Sequence, residues 1–158
     1  MTFPLYATQL SILLVGPHLI PDNLTDALGV RPDRFFRKGD SITTSGGNCV
    51  IRKTGLWSIR SQLFEVDNLS ANILDDPFFE LLPRLEKIRE MIDLGRSDLS
   101  HLPGVERCYA DYYIFKTATL NGTSCQFLCS PQQMKLFHEL GLQLQFSLQV
   151  QKNDEELE

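Results

Sequence analysis

The stretch YATQLSILLVG, residues 6–16, sets Leu10, Ile12 and Leu14 in alternation within a largely apolar run. That pattern predicts a strand with at least one deeply buried face. After PHLIP the period lengthens, and in DNLTDALGV the residues Leu24, Ala27 and Leu28 share one helical face. Asp22 is placed to cap this helix of about two turns and Gly29 to stop it. DSITTSGGNCVIRKTG is rich in Ser, Thr and Gly and reads as a connection or hairpin, with NCVIRK as a short strand. LWSIRSQ then alternates Leu56, Ser58 and Arg60 against Trp57, Ile59 and Ser61, which predicts a strand whose two faces differ.

From residue 68 the sequence NLSANILDDPFFELLPRLEKIREMIDLG predicts an interrupted helix. Ser70 caps a first part, Pro77 restarts it, Phe78, Leu81, Leu82, Leu85, Ile88 and Met91 or Ile92 follow at helical spacing, and Pro83 is expected to kink or divide it. RCYADYYIFKTAT and SCQFLCS read as two strands joined at Asn121-Gly122, the strongest hairpin signal in the chain. SPQQMKLFHELG carries both helix marks, Ser130 with Pro131 at its start and Gly141 at its end. In LQLQFSLQVQ the residues Leu142, Leu144, Phe146, Leu148 and Val150 alternate with polar ones, the pattern of a strand buried on one face.

The order strand, helix, one or two strands, long helix, hairpin, helix, strand predicts a two-layer α+β sandwich, with helices on one face of a mostly antiparallel sheet. A ferredoxin-like or duplicated β-α-β layout is compatible with that order, although no sequence repeat supports it. A length of 158 residues fits one domain, expected over 1–151, with 152–158 as an acidic tail.

Hydrophobic residues at 42% and charged residues at 22% are ordinary for a globular chain, so they add little. The net charge of −5 argues against a nucleic-acid partner bound through a broad basic face. The N-terminus lacks a basic start and a clear cleavage site, and no run is long enough to span a membrane, so the expected location is the cytoplasm. Cys49, Cys108, Cys125 and Cys129 fit neither a zinc site nor a disulfide framework, and they are expected to be reduced thiols. No metal and no cofactor is expected.

No phosphate-binding loop, dinucleotide fingerprint, serine elbow or zinc-protease motif occurs in the sequence. Three histidines, His18, His101 and His138, lie in a turn, a loop and a helix, and Asp93, Asp98 and His101 gather in a loop that reads as a self-bonded turn. Catalytic residues are therefore not assigned. The one local excess of positive charge follows the first helix, where Arg34, Arg37 and Lys38 surround Phe35 and Phe36, with Arg31 before them and Arg52, Lys53 and Arg60 later. Aromatic residues among cations occur at single-stranded nucleic-acid and anion sites. The alternative is a structural corner with one Phe in the core, Trp57 in the core, and cations solvated or paired with Asp33 and Asp40.

LTDALGVRPDRFFRKGD, followed after a Gly/Ser-rich insert by GLWSIRS, resembles the signature of a bacterial family known as domain of unknown function 4279. The resemblance falls on Leu24, Thr25, Leu28, Gly29, Pro32, Lys38, Gly39, Asp40, Trp57, Ser58 and Ser61. It implies a small bacterial cytoplasmic α+β protein without assigned catalytic residues. By analogy of type, it also implies an immunity protein that neutralises a toxin or effector by occluding it. The leading expectation is thus a non-enzymatic protein-binding domain. The alternative is a small-ligand or nucleotide-binding module at the basic corner, with Arg34, Phe36, Arg37, Lys38, Asp40, Trp57 and Arg60 as the candidate ligand- or partner-binding residues. Neither the partner's identity nor the oligomeric state follows from the sequence.

Overall fold

A computed structural model of the chain describes residues 6–66, 73–95, 98–118 and 127–152. The elements in chain order are β1 (Tyr6–Gly16), α1 (Pro21–Leu28), β2 (Arg34–Phe36), β3 (Ser41–Thr43), β4 (Cys49–Ile51), β5 (Gly55–Arg60), β6 (Phe64–Val66), α2 (Asp75–Gly95), β7 (Arg107–Ala118), α3 (Pro131–Leu140) and β8 (Gln143–Lys152). The main sheet runs β2-β5-β1-β7-β8, with β6 also paired to β1, while β3 and β4 form a small hairpin. Every pairing is antiparallel except β7 with β8. The fold is α+β with an open, mostly antiparallel sheet.

Alternation in β1 decides which side the helices cover. Leu10, Ile12 and Leu14 are fully buried, and opposite them lie Tyr112, Ala110 and Cys108 of β7, with Ile59 and Trp57 of β5 on the other flank. Directly opposite residues share a side of a sheet, so these side chains form one apolar layer. Against it α2 presents Phe78, Leu81, Leu85 and Ile88, α1 adds Leu24 and Leu28, and α3 adds Leu136, Phe137 and Leu140. Helical spacing of these apolar residues follows from the need of each helix to cover that layer.

The β-α-β expectation holds in one half only. β7-α3-β8 joins parallel neighbours, whereas β1-α1-β5 joins antiparallel ones, so the chain is not a repeat of one unit.

Three local readings are corrected. α1 begins at Pro21 with Ile20 as its cap, and Asp22 sits inside the first turn rather than capping it. Proline suits that first position because its missing donor would be unpaired there anyway. α2 is one continuous 21-residue helix, and Pro83 does not divide it. Pro83 lies on the exposed side, between the buried Leu81 and Leu85 that fix the helix to the sheet.

Strand β8, expected to bury one face, leaves Leu144, Phe146, Leu148 and Val150 between 39% and 58% exposed. It is the terminal strand of the sheet, and among the described residues β7 is its one strand neighbour.

The Asn121-Gly122 hairpin and the Ser70 cap lie outside the described residues. Of the expected second hairpin arm, residues 127–130 carry no strand, and both edges of β7 are taken, by β1 and by β8. The loop read as a self-bonded turn is a 3-10 turn, Leu99–His101, capped by Asp98. Among the described residues, no helix is long and apolar enough to cross a membrane.

Candidate functional site

The corner that joins α1 to β2 gathers most of the signature residues, and their roles are architectural. Gly29 ends α1 at a φ of 64°, with its N–H donating to the Thr25 carbonyl at 2.9 Å. Only glycine adopts that left-handed conformation without strain. Thr25 stands one turn earlier. Its hydroxyl donates to the Pro21 carbonyl at 3.1 Å and accepts the Trp57 indole N–H, also at 3.1 Å. Trp57 is fully buried, so this hydroxyl satisfies a donor that would otherwise be orphaned in the core.

The chain then enters β2 beside β5, where the Asp33 N–H donates to the Ser58 carbonyl at 2.8 Å. The Asp33 carboxylate accepts from the Arg60 N–H and from the Arg84 guanidinium, both at 2.8 Å. Arg37-Lys38-Gly39-Asp40 forms a tight turn, in which the Asp40 N–H donates to the Arg37 carbonyl and the Asp40 carboxylate accepts the Arg37 N–H at 2.8 Å. Gly39 has a φ of 92°, which the third position of such a turn requires. Ser61 extends the β1–β5 pairing past Arg60: its N–H donates to the Leu10 carbonyl at 2.8 Å, and its hydroxyl accepts the Leu10 N–H at 3.0 Å.

The candidate binding residues divide between the two sides of the sheet. Arg34 and Phe36 lie opposite Ser58 and Leu56, on the side away from the helices, and Arg60 follows two residues beyond Ser58 on the same side. Phe36 is flanked by cations, with the Arg52 guanidinium 4.1 Å and that of Arg34 5.7 Å from its ring centre. Phe35 lies opposite Trp57 on the helix side, yet at the sheet's edge it is 60% exposed. Trp57 lies beneath the corner and has no surface to offer a ligand. Arg37 makes an exposed 3.3 Å pair with Asp22, an interaction worth little in water. Among the described residues no carboxylate pairs with Arg31, Arg34, Lys38, Arg52 or Arg60.

Phe35 borders a hollow of about 240 Å³ lined by Pro21, Asp22, Thr25, Arg31 and Pro32. Its walls are two prolines and an aromatic ring, with one cation, one carboxylate and one hydroxyl at the rim. Such a hollow can receive an apolar side chain and bond the polar groups on either side of it. Sequence reasoning set both phenylalanines among the cations, took only Phe36 as a candidate binding residue and missed the hollow. The two phenylalanines are consecutive in a strand and so face opposite ways; Phe36 is flanked by Arg34 and Arg52, while Phe35, on the edge strand, stays 60% exposed.

Elsewhere among the described residues, Cys108, Cys129 and the Asp98–His101 turn are engaged in structure. Burial pushes the Cys108 thiol up, and it donates to the Gly141 carbonyl at 3.1 Å. Burial, with Asp75 nearby, also pushes the Cys129 thiol up. Hydrogen bonds from the Ser100 hydroxyl and from His101 hold the Asp98 carboxyl below its usual range. The Ser100 and Asp98 oxygens both approach the same His101 nitrogen, Nδ1, at 3.2 and 2.7 Å, so the three do not form a relay through the imidazole. Among the described residues no three metal-ligating side chains converge.

No curated protein and no solved structure matches the chain at a significant level. The profile of one family, described as a domain of unknown function (DUF4279), matches residues 6–151. The match runs from the first residue of β1 to the penultimate residue of β8 and takes in the whole corner, so this chain belongs to the DUF4279 family.

Proposed function

We propose that this chain is a non-enzymatic protein-binding domain, and that it serves as a bacterial, cytoplasmic immunity protein that neutralises a toxin by occluding it. The observation that carries the binding reading is Phe35: a large aromatic side chain, 60% exposed, at the rim of a hollow that Arg31 also lines. Aromatic and arginine side chains around a pocket dominate the energy of protein interfaces. The net charge of −5 suits attraction toward a basic partner at long range, while the corner's cations call for carboxylates on that partner at the contact itself. The raised thiols of Cys108 and Cys129 favour binding over nucleophilic chemistry, because a protonated thiol is a poor nucleophile.

Co-expression with the product of the neighbouring gene tests the immunity role. Copurification as a 1:1 complex together with rescue of growth is the expected outcome. A neighbour that is neither toxic nor retained overturns the role.

One observation favours a second reading, an anion-binding module on the other side of β2. Arg34 and Arg52 flank Phe36, and the buried Nε of Arg52 has no acceptor. Under that reading phosphate or a nucleotide raises the melting temperature, and the double variant Arg34→Ala, Lys38→Ala removes the shift.

A further inference from the structure

We infer that β8 is a self-pairing edge, through which two copies of this chain join their sheets about a two-fold axis at Ser147. β8 ends the main sheet, and among the described residues no strand pairs with its outer side. Natural edge strands are usually short, charged, bulged or interrupted by proline. The opposite edge follows that rule, since β2 has three residues and carries Arg34. β8 has ten, and from Gln143 to Gln151 it contains no charge, no proline and no glycine.

The choice of a second copy as occupant rests on the order of residues. Centred on Ser147, an antiparallel pair sets Phe146 against Leu148, Leu144 against Val150, Gln145 against Gln149 and Gln143 against Gln151. Each apolar side chain thus meets an apolar one and each glutamine meets a glutamine, which is the isologous pattern of a two-fold interface. The four apolar residues of each copy, now 39% to 58% exposed, would form one row on the helix side. Phe146 already stacks on Tyr112 at 5.8 Å, so the row continues the existing core layer.

Charge points the same way. A chain of net charge −5 repels its copy wherever charged surfaces meet, and β8 offers an uncharged strand free of that cost. Because β2 and β8 are opposite ends of the sheet, pairing at β8 leaves both α1–β2 corners open. The inference therefore stands independently of the corner's partner.

Sedimentation of the full chain across a micromolar to millimolar series is the test. The expected mass converges on twice 18.0 kDa. Leu148→Lys, at a side chain 58% exposed, sets two lysines against the partner's Phe146 and is expected to give a monomer that melts where the parent does at concentrations too low for the parent to pair. In a Cys49→Ser background, which removes an exposed thiol, Ser147→Cys is expected to form a disulfide-linked dimer on mild oxidation. Residues facing each other across the axis lie about 4.5–5.5 Å apart at Cα, within disulfide reach. Gln149→Cys faces Gln145 instead and is expected to remain unlinked. A chain that stays monomeric throughout the series, a dimer indifferent to Leu148→Lys, or equal linking at 147 and 149 overturns the inference.

Discussion

The Thr25 hydroxyl lies 3.1 Å from the Trp57 indole nitrogen and joins α1 to the middle of β5 across 32 residues of sequence. This single bond connects the two halves of the family signature, the helix motif and the tryptophan strand. Removing the hydroxyl while keeping the shape, in Thr25→Val, leaves a buried N–H unpaired, which costs about 1–3 kcal/mol. Thr25→Ser keeps the acceptor and is expected to cost less. Chemical denaturation followed by Trp57 fluorescence measures both.

Glycines separate conformational from steric demand. At Gly39 the φ is 92° and a Cβ would meet nothing within 4 Å, so Gly39→Ala is expected to cost about 1–2 kcal/mol, from backbone strain alone. At Gly16 a Cβ would lie 1.9 Å from the Gly104 carbonyl oxygen, in the backbone of a neighbouring turn. Gly16→Ala is therefore expected to cost more than Gly39→Ala and to lower the yield of folded protein. Thermal melts of the two variants give the order.

Asp98 provides a pH signature. Its folded pKa is depressed, first by the Ser100 hydroxyl and then by His101, below the ordinary value of 3.8. The stability it contributes is therefore fully present above that value and is lost as pH falls through the folded one. Asp98→Ala is expected to be less stable than the parent at pH 7, with the difference shrinking below pH 4. Melting curves between pH 5 and pH 3 check the sign, and a difference that grew as pH fell through that range would contradict it.

The thiols are expected to react in sequence. Cys49 is exposed, whereas Cys108 and Cys129 are bonded and held protonated. With Cys125 replaced by serine, a thiol reagent at pH 8 is expected to modify Cys49 first, the half-buried Cys129 more slowly and the buried Cys108 last. Mass spectrometry of the modified sites distinguishes them.

Much of the fold was legible because local signals and tertiary demands agreed. β1 was marked by alternation, and α3 by Ser130, Pro131 and Gly141 at its ends. Pro83 misled because propensity describes an isolated helix, whereas Leu81 and Leu85 are held by the sheet. β8 misled for the opposite reason: alternation reports which residues prefer a core, and the strand's place at the edge denies them one.

At the corner, the excess of cations was legible and so was the burial of Trp57. The choice between Phe35 and Phe36 was not, because it depends on β2 being an edge strand and on Arg52, sixteen residues away, covering Phe36. Lys38 is exposed in the signature turn, while most of the other signature residues are used in building the corner. Specificity for a partner is therefore expected to reside in the residues around the signature, Phe35 and Arg31 first.

The most direct test of that account is retention of the neighbouring gene's product by tagged Phe35→Ala beside tagged wild type. Phe35→Ala is expected to fold with an unchanged melting temperature and to lose the partner and the rescue of growth. Retention and rescue at the wild-type level would contradict the corner as the docking surface.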